Sequence, residues 1–194
     1  MNISLDGFMA GANCELDWHF HYWCEEMSGA LCAQLAESDT LLLGRVTYQA
    51  MERYWPGRAK EAVCDEQEAA FIRMMNEHTK VVFSNTLTHA DWNHSAIMRG
   101  DPVAQTRRLK RLPGKDIVIF GSGMLVDTLM SSQLIDEYRL WIHPVVLHRG
   151  RPFFGGLERF LRLTLCGMRA FESGVALLSY QAPVLQKKGI LPLI

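Results

Sequence analysis

Four short clusters in this chain combine glycine or small polar residues with the end of an apolar run. They are Asp6-Gly7, Gly44-Arg45-Val46-Thr47, Ser84-Asn85-Thr86 and Gly121-Ser122-Gly123. Glycine lets backbone approach an anion closely, and the N–H groups of a helix start carry positive partial charge, so phosphate is the ligand such clusters suit. In the second cluster Arg45 adds a charged fork and Thr47 a hydroxyl near a helix start. In the third, small polar groups suit a ribose, a phosphate or an adenine edge. In the fourth, Met124, Leu125, Leu129 and Met130 resume at helical spacing, so a strand, a glycine turn and a helix follow in order. Each cluster has a plainer reading as well. Asp6 before Gly7 makes an Asx turn, Ser84 to Thr86 a turn, and the two glycine clusters helix caps.

The remaining polar residues carry less. His19-x-His21 and His89-x4-His94 have no acid or cysteine at ligand spacing, so no metal site is expected. His143 before Pro144 reads as a strand-end residue, and Arg107, Arg108, Lys110 and Arg111 as a solvated helix side. No nucleophile elbow, Ser/His/Asp order or Walker A lysine is present. A dinucleotide site without nucleophile, metal or acid–base pair points to redox chemistry, in which the cofactor carries the reaction.

The elements that must position these clusters are apolar strands. Met1–Leu5, Thr40–Leu43, Lys80–Phe83 and Ile117–Phe120 each run into one of them. Met1–Leu5 starts abruptly for a buried strand, so it is short or its natural start lies upstream. Helical patterns fall between: one to Ala36, one from Gly44 through Met51 closing at Tyr54-Trp55-Pro56-Gly57, one over Asp65–Glu77 and one over Asp101–Arg111. His94–Met98 reads as a weak edge strand, Ile135–Pro144 as a strand, and Phe160–Phe171 with Val175–Ala182 as an antiparallel pair around Ser173-Gly174. The pattern predicts an α/β fold, a mainly parallel mixed sheet with helices on both faces and a C-terminal antiparallel hairpin. In such sheets ligands gather outside the carboxyl ends of the strands, where all four clusters fall.

Composition narrows the class. A chain of 194 residues with 48% apolar and 21% charged residues fits one globular domain, here 1–182 followed by a tail over 183–194. Its net charge of -1 gives no field to recruit nucleic acid or an anionic membrane. Five cysteines without a C-x-x-C pair suit a reducing cytoplasm, and no apolar run is long enough to span a bilayer.

Ser4-Leu-Asp-Gly-Phe-Met-Ala10, Leu16-Asp-Trp18, Asp39 to Tyr48, Tyr54-Trp-Pro56, Val82 to Thr86, Ile119 to Met124, Leu134 to Tyr138 and Pro144 to Phe154 occur in one order. As a set they resemble the dihydrofolate-reductase-like superfamily. Within it they are similar to stand-alone relatives of the reductase domain of the bifunctional riboflavin-biosynthesis deaminase-reductase, over about residues 1 to 182. The resemblance implies a three-layer reductase using NADP, and a homodimer whose interface the apolar, aromatic C-terminal strands could form. It implies a small heterocyclic (pyrimidine- or pterin-like) or carbonyl substrate, as for 5-amino-6-(5-phosphoribosylamino)uracil reductase. By the same resemblance Gly44, Arg45, Val46 and Thr47 hold cofactor phosphates, and Ser84, Asn85 and Thr86 flank the adenosine half. Gly121, Ser122, Gly123, Met124 and Leu125 cradle the pyrophosphate and the ribose nearest the nicotinamide. Gly7 borders the nicotinamide, Asp6 is the expected catalytic residue, and Trp18 and Ser28 face the substrate. Dihydrofolate reductases carry an acid near the place of Ser28, which this chain lacks, and the zinc-bearing deaminase partner is absent. A non-catalytic nucleotide-binding module is therefore the second reading.

Overall fold

The computed structural model describes residues 1–61, 65–121 and 123–183. Ser122 and the tail from residue 184 lie outside them. Element order is β1 (Asn2–Ser4), β2 (Phe8–Ala10), a 3-10 segment (Asp17–Tyr22), α1 (Glu25–Ala36), β3 (Ser38–Gly44), α2 (Arg45–Arg58), α3 (Glu66–Glu77), β4 (Thr79–Phe83) and β5 (Ser95–Met98). Then follow α4 (Pro102–Leu109), β6 (Asp116–Ile119), α5 (Gly123–Ser131), β7 (Glu137–His143), β8 (Arg151–Pro152), β9 (Thr164–Ala170) and β10 (Ala176–Gln181).

The apolar runs form a parallel sheet in the order β5-β4-β3-β6. Successive strand residues point to opposite faces, so one run feeds two layers. Leu41 and Leu43 pack with Leu35, Tyr48, Met75, Val82 and Trp92 against α1–α3. Leu42 and Val81 pack on the other face with Leu125 and Leu129 of α5. That is the expected three-layer arrangement. No helix among the described residues is long and apolar enough to cross a membrane.

The second half is a mixed sheet in the order β1-β7-β10-β9, with β1 parallel to β7 and an antiparallel β9–β10 hairpin, as expected of the C-terminal end. The two halves do not share one backbone ladder among the described residues. A cleft of about 680 Å³ lies between β6 and β7, lined by Ile117, Ile119, Tyr138, Leu140 and Phe153. β1 pairs with β7 along Trp141–His143, and Met1 before it meets the end of β6 through the Gly121 N–H, 3.1 Å from its Sδ.

The helix expected to close at Tyr54–Gly57 instead continues through Pro56 to Arg58. Proline inside a helix costs about 3 kcal/mol through its missing N–H and its clash with the preceding turn. Here that turn is anchored from outside. The Trp55 ring meets Phe71 edge-on at 5.3 Å, and Asn76 Nδ2 donates to the Trp55 carbonyl at 3.1 Å.

Candidate cofactor cleft

In the parallel sheet the chain steps from β3 outward to β4 and β5, then returns to place β6 on the other flank of β3. The order of connection reverses between β3 and β6, and the crevice at such a reversal is where open α/β sheets hold ligands. Leu42 pairs with Ile119, and two residues beyond that pair in each strand lie Gly44 and Gly121. Two helices, α2 and α5, therefore begin next to each other at neighbouring strand ends.

The two starts differ in what they leave open: the Gly121 N–H donates to Met1 Sδ at 3.1 Å. Gly44 caps α2 with an extended backbone and no side-chain hydrogen bond, leaving the first N–H groups without a capping acceptor. Arg45 is exposed and reaches only Gln49, at 3.2 Å, Val46 is 70% exposed, and Thr47 is half-buried beside them. Gly121 sits at φ +81°, a left-handed conformation that a side chain strains, and this turn delivers the chain from β6 into α5. Met124 is 74% exposed at the head of α5, whereas Leu125 is buried in the core with Leu42 and Val81. Leu125 can thus offer a ligand its backbone and not its side chain. Ser122 lies outside the described residues.

One cationic group here was missed in the sequence. A Cβ placed on Gly123 would fall 2.5 Å from the Arg151 Nε, so the Arg151 guanidinium lies flat against the first residue of α5. Arg151 Nη2 donates to Asp127 Oδ2 at 2.7 Å, which fixes the fork in place. Glycine at 123 is what allows the approach. The only hint in the sequence was the Gly-, Arg- and Pro-rich character of 145–156.

The third cluster is mostly self-satisfied. Ser84 Oγ accepts from the N–H groups of Thr86 and Leu87 at 3.2 and 2.9 Å. Asn85 Oδ1 accepts from Gly100 N–H at 3.1 Å, while its carbonyl accepts from Arg99 at 2.9 Å. Ser84 and Asn85 thus build a turn after β4, with Ser84 half-buried and Asn85 and Thr86 exposed.

At the β1–β7 end, Asp6, the expected catalytic residue, is engaged by its neighbours. Its Oδ1 accepts from Ser4 Oγ at 2.7 Å and from Leu147 N–H at 3.1 Å, and its Oδ2 from His148 N–H at 2.8 Å. The Ser4 hydroxyl foremost, with the two backbone N–H groups, holds the carboxyl down at about 2. An acid kept ionised this strongly has no proton to give near neutral pH. The geometry is that of a brace tying the turn at Gly7, φ +88°, to the loop after β7.

Trp18 lies in the 3-10 segment, its ring edge-on to His143 at 5.4 Å and to His19 at 5.3 Å. His143 ends β7 and is fully buried, and burial pulls its imidazole down to about 4. Ser28 is turned away, accepting from the Trp23 indole at 2.7 Å and donating to the Cys24 carbonyl at 3.3 Å. The fold thus brings Trp18 to the strand-end row and engages Ser28 with its own helix start.

Residues 1–177 match the RibD C-terminal domain. The chain belongs to the RibD C-terminal domain family. It is 32% identical over 178 residues to the uncharacterized protein YyaP of Bacillus subtilis (strain 168), covering 92% of this chain and 90% of YyaP. A putative riboflavin biosynthesis protein from Shewanella sp. PV-4 superposes with a TM-score of 0.73 at 21% identity, covering 95% of this chain and 97% of that one. Dihydrofolate reductase from Enterococcus faecalis, solved with NADP(H), superposes with a TM-score of 0.58 at 14% identity, over 93% and 92% of the two chains. The RibD-type reductase domain and the dihydrofolate-reductase-like fold are therefore shared, and these relationships make an oxidoreductase of the chain.

Proposed function

We propose that this RibD-type domain is an NADPH-dependent reductase that passes hydride to a small heterocyclic (pyrimidine- or pterin-like) or carbonyl substrate. The observation that carries the reading is the pair of helix starts that follow Gly44 and Gly121 at neighbouring strand ends, where strand order reverses. Two adjacent helix N-termini, with Arg45 on one and Arg151 against the other, suit a pyrophosphate and its neighbouring phosphate. NADPH would supply the hydride. The chain's own residues bind and orient: Gly44, Val46 and Thr47 through backbone and hydroxyl, Gly121, Gly123, Met124 and Leu125 through backbone, Thr86 toward the adenosine half. Gly7 turns the chain beside the nicotinamide end, where Asp6 holds the loop and Trp18 covers it.

NADPH should raise the melting temperature and be consumed in the presence of the true acceptor. No stabilisation by NADPH, NADH or any adenine nucleotide would sink the reading. Because Asp6 stays ionised, its replacement by Asn should lower the melting temperature without removing a limb of the pH–rate profile between pH 5 and 8. A non-catalytic nucleotide module is favoured by one observation, the full engagement of the Asp6 carboxylate. Cofactor binding without turnover across pterin, pyrimidine, flavin and quinone panels would select it. A cytoplasmic homodimer using β9 completes the proposal: all seven residues of that edge strand are exposed, Met168 at 74%. Sedimentation equilibrium tests it.

A further inference from the structure

Two buried polar atoms at the β1–β7 end have no hydrogen-bond partner, the Trp18 indole Nε1 and the His143 Nδ1. They belong to rings in edge-to-face contact, 5.4 Å between centroids at 87°. The other His143 nitrogen, Nε2, lies 3.1 Å from Asn2 Oδ1. A carboxamide oxygen only accepts, so Nε2 carries the hydrogen and Nδ1 is left as a bare lone pair. The Trp18 indole N–H only donates. An orphaned donor and an orphaned acceptor, each costly to bury alone, thus belong to two rings in direct contact.

Among the described residues nothing else claims either atom. Asn2 Nδ2 is directed at the His19 ring, 3.4 to 3.5 Å from its nitrogens, and Tyr22 packs on His143 at 5.9 Å by its ring. The segment that carries Trp18 is a short 3-10 stretch without a side-chain cap at its start. Its contacts with the strand ends include the Trp18 ring edge-on and the His19 ring tilted on His143. A shift of this segment that brought Nε1 to Nδ1 would pair the two orphans.

We propose that His143 is a positioning residue that acts through Trp18. Its Nδ1, kept bare by Asn2, accepts the Trp18 indole N–H when the Asp17–Tyr22 segment settles over bound NADPH, and so fixes that segment at the nicotinamide end. The inference rests on the reductase reading, because that reading puts the cofactor beneath Trp18.

The test is the indole 1H–15N resonance of Trp18, assigned by its loss in Trp18→Phe, in protein titrated with NADPH. The resonance should move downfield on saturation. The move should vanish in His143→Leu and persist in His143→Gln, whose amide oxygen can still accept. NADPH release should be several-fold faster in His143→Leu and close to the wild-type rate in His143→Gln. An unmoved Trp18 resonance in the wild type, or the same movement in His143→Leu, overturns the pairing. So does a His143→Leu protein that loses melting temperature while its release rate stays unchanged. The two readings fail differently. If the amides of Gly44 and Gly121 respond to NADPH and Trp18 does not, only the pairing falls; if none responds, the reductase reading falls with it.

Discussion

The carboxyl edge of this molecule has two ends built on different principles. At β3 and β6 two helices start from glycine turns, the α2 start without a side-chain cap, with two arginines laid alongside. At β1 and β7 the polar groups are side chains already engaged with one another: Asp6 with Ser4 and the loop N–H groups, His143 with Asn2. A bare backbone site is specified by local sequence, because glycine and strand–helix order suffice to make it. A side-chain network is specified by pairing across the chain. Asp6 reaches residues 147 and 148, and Asn2 reaches 143.

The contrast can be broken at either end. The largest effect should come from Gly121→Val. A β-branched residue is poorly suited to φ +81°, so the turn itself would have to change, and NADPH affinity should fall at least about 100-fold, or roughly 3 kcal/mol. Isothermal titration measures it, and retained affinity would mean that the bare turn is not the binding surface.

At the other end the expected signature is in pH. His143 is neutral in the folded protein down to about 4, while an unfolded histidine takes up its proton near 6.5. Between those values the unfolded chain binds the extra proton, so stability falls as pH drops from about 6.5 toward 4. The loss is about 2 kcal/mol once screening is allowed for. Denaturant midpoints for His143→Leu should be flatter over this window than those of the wild type. Equal slopes would show that the imidazole does not carry the effect.

Arg151→Gln should weaken NADPH binding about tenfold, near 1.4 kcal/mol, and reduce the salt dependence of binding. Unchanged affinity would assign Arg151 to Asp127 alone. The smallest effect belongs to Ser28→Ala. Removing the acceptor of the Trp23 indole should cost about 0.5–1 kcal/mol of stability and leave KM unaltered. A raised KM would return Ser28 to the substrate side.

These two ends also divide what could be read from the amino acids. Leu41–Leu43 and Val81–Val82 announced buried parallel strands because no polar residue interrupts them, and the glycines after β3 and β6 marked the turns. Pro56 misled because its cost is met by Phe71 and Asn76, both distant in sequence. The engagement of Asp6 was not legible because its partners at 147 and 148 lie at the far end of the chain. Arg151 was hidden for the same reason: its neighbour Gly123 starts α5, distant in sequence from β8, with no periodicity to betray the contact.

One strand has a consequence for handling the protein. Along its outer edge β9 offers an unpaired row of backbone donors and acceptors, and such a row templates association between copies in concentrated solution. Within Thr164–Ala170 one residue, Arg169, is charged. It lies over the Phe171 ring at 4.8 Å and 3.6 Å from Glu26, which sets a hydrated charge on an otherwise sticky ribbon. Arg169 is thus the gatekeeper of solubility: with Ala in its place the fold should survive while the tolerated concentration falls.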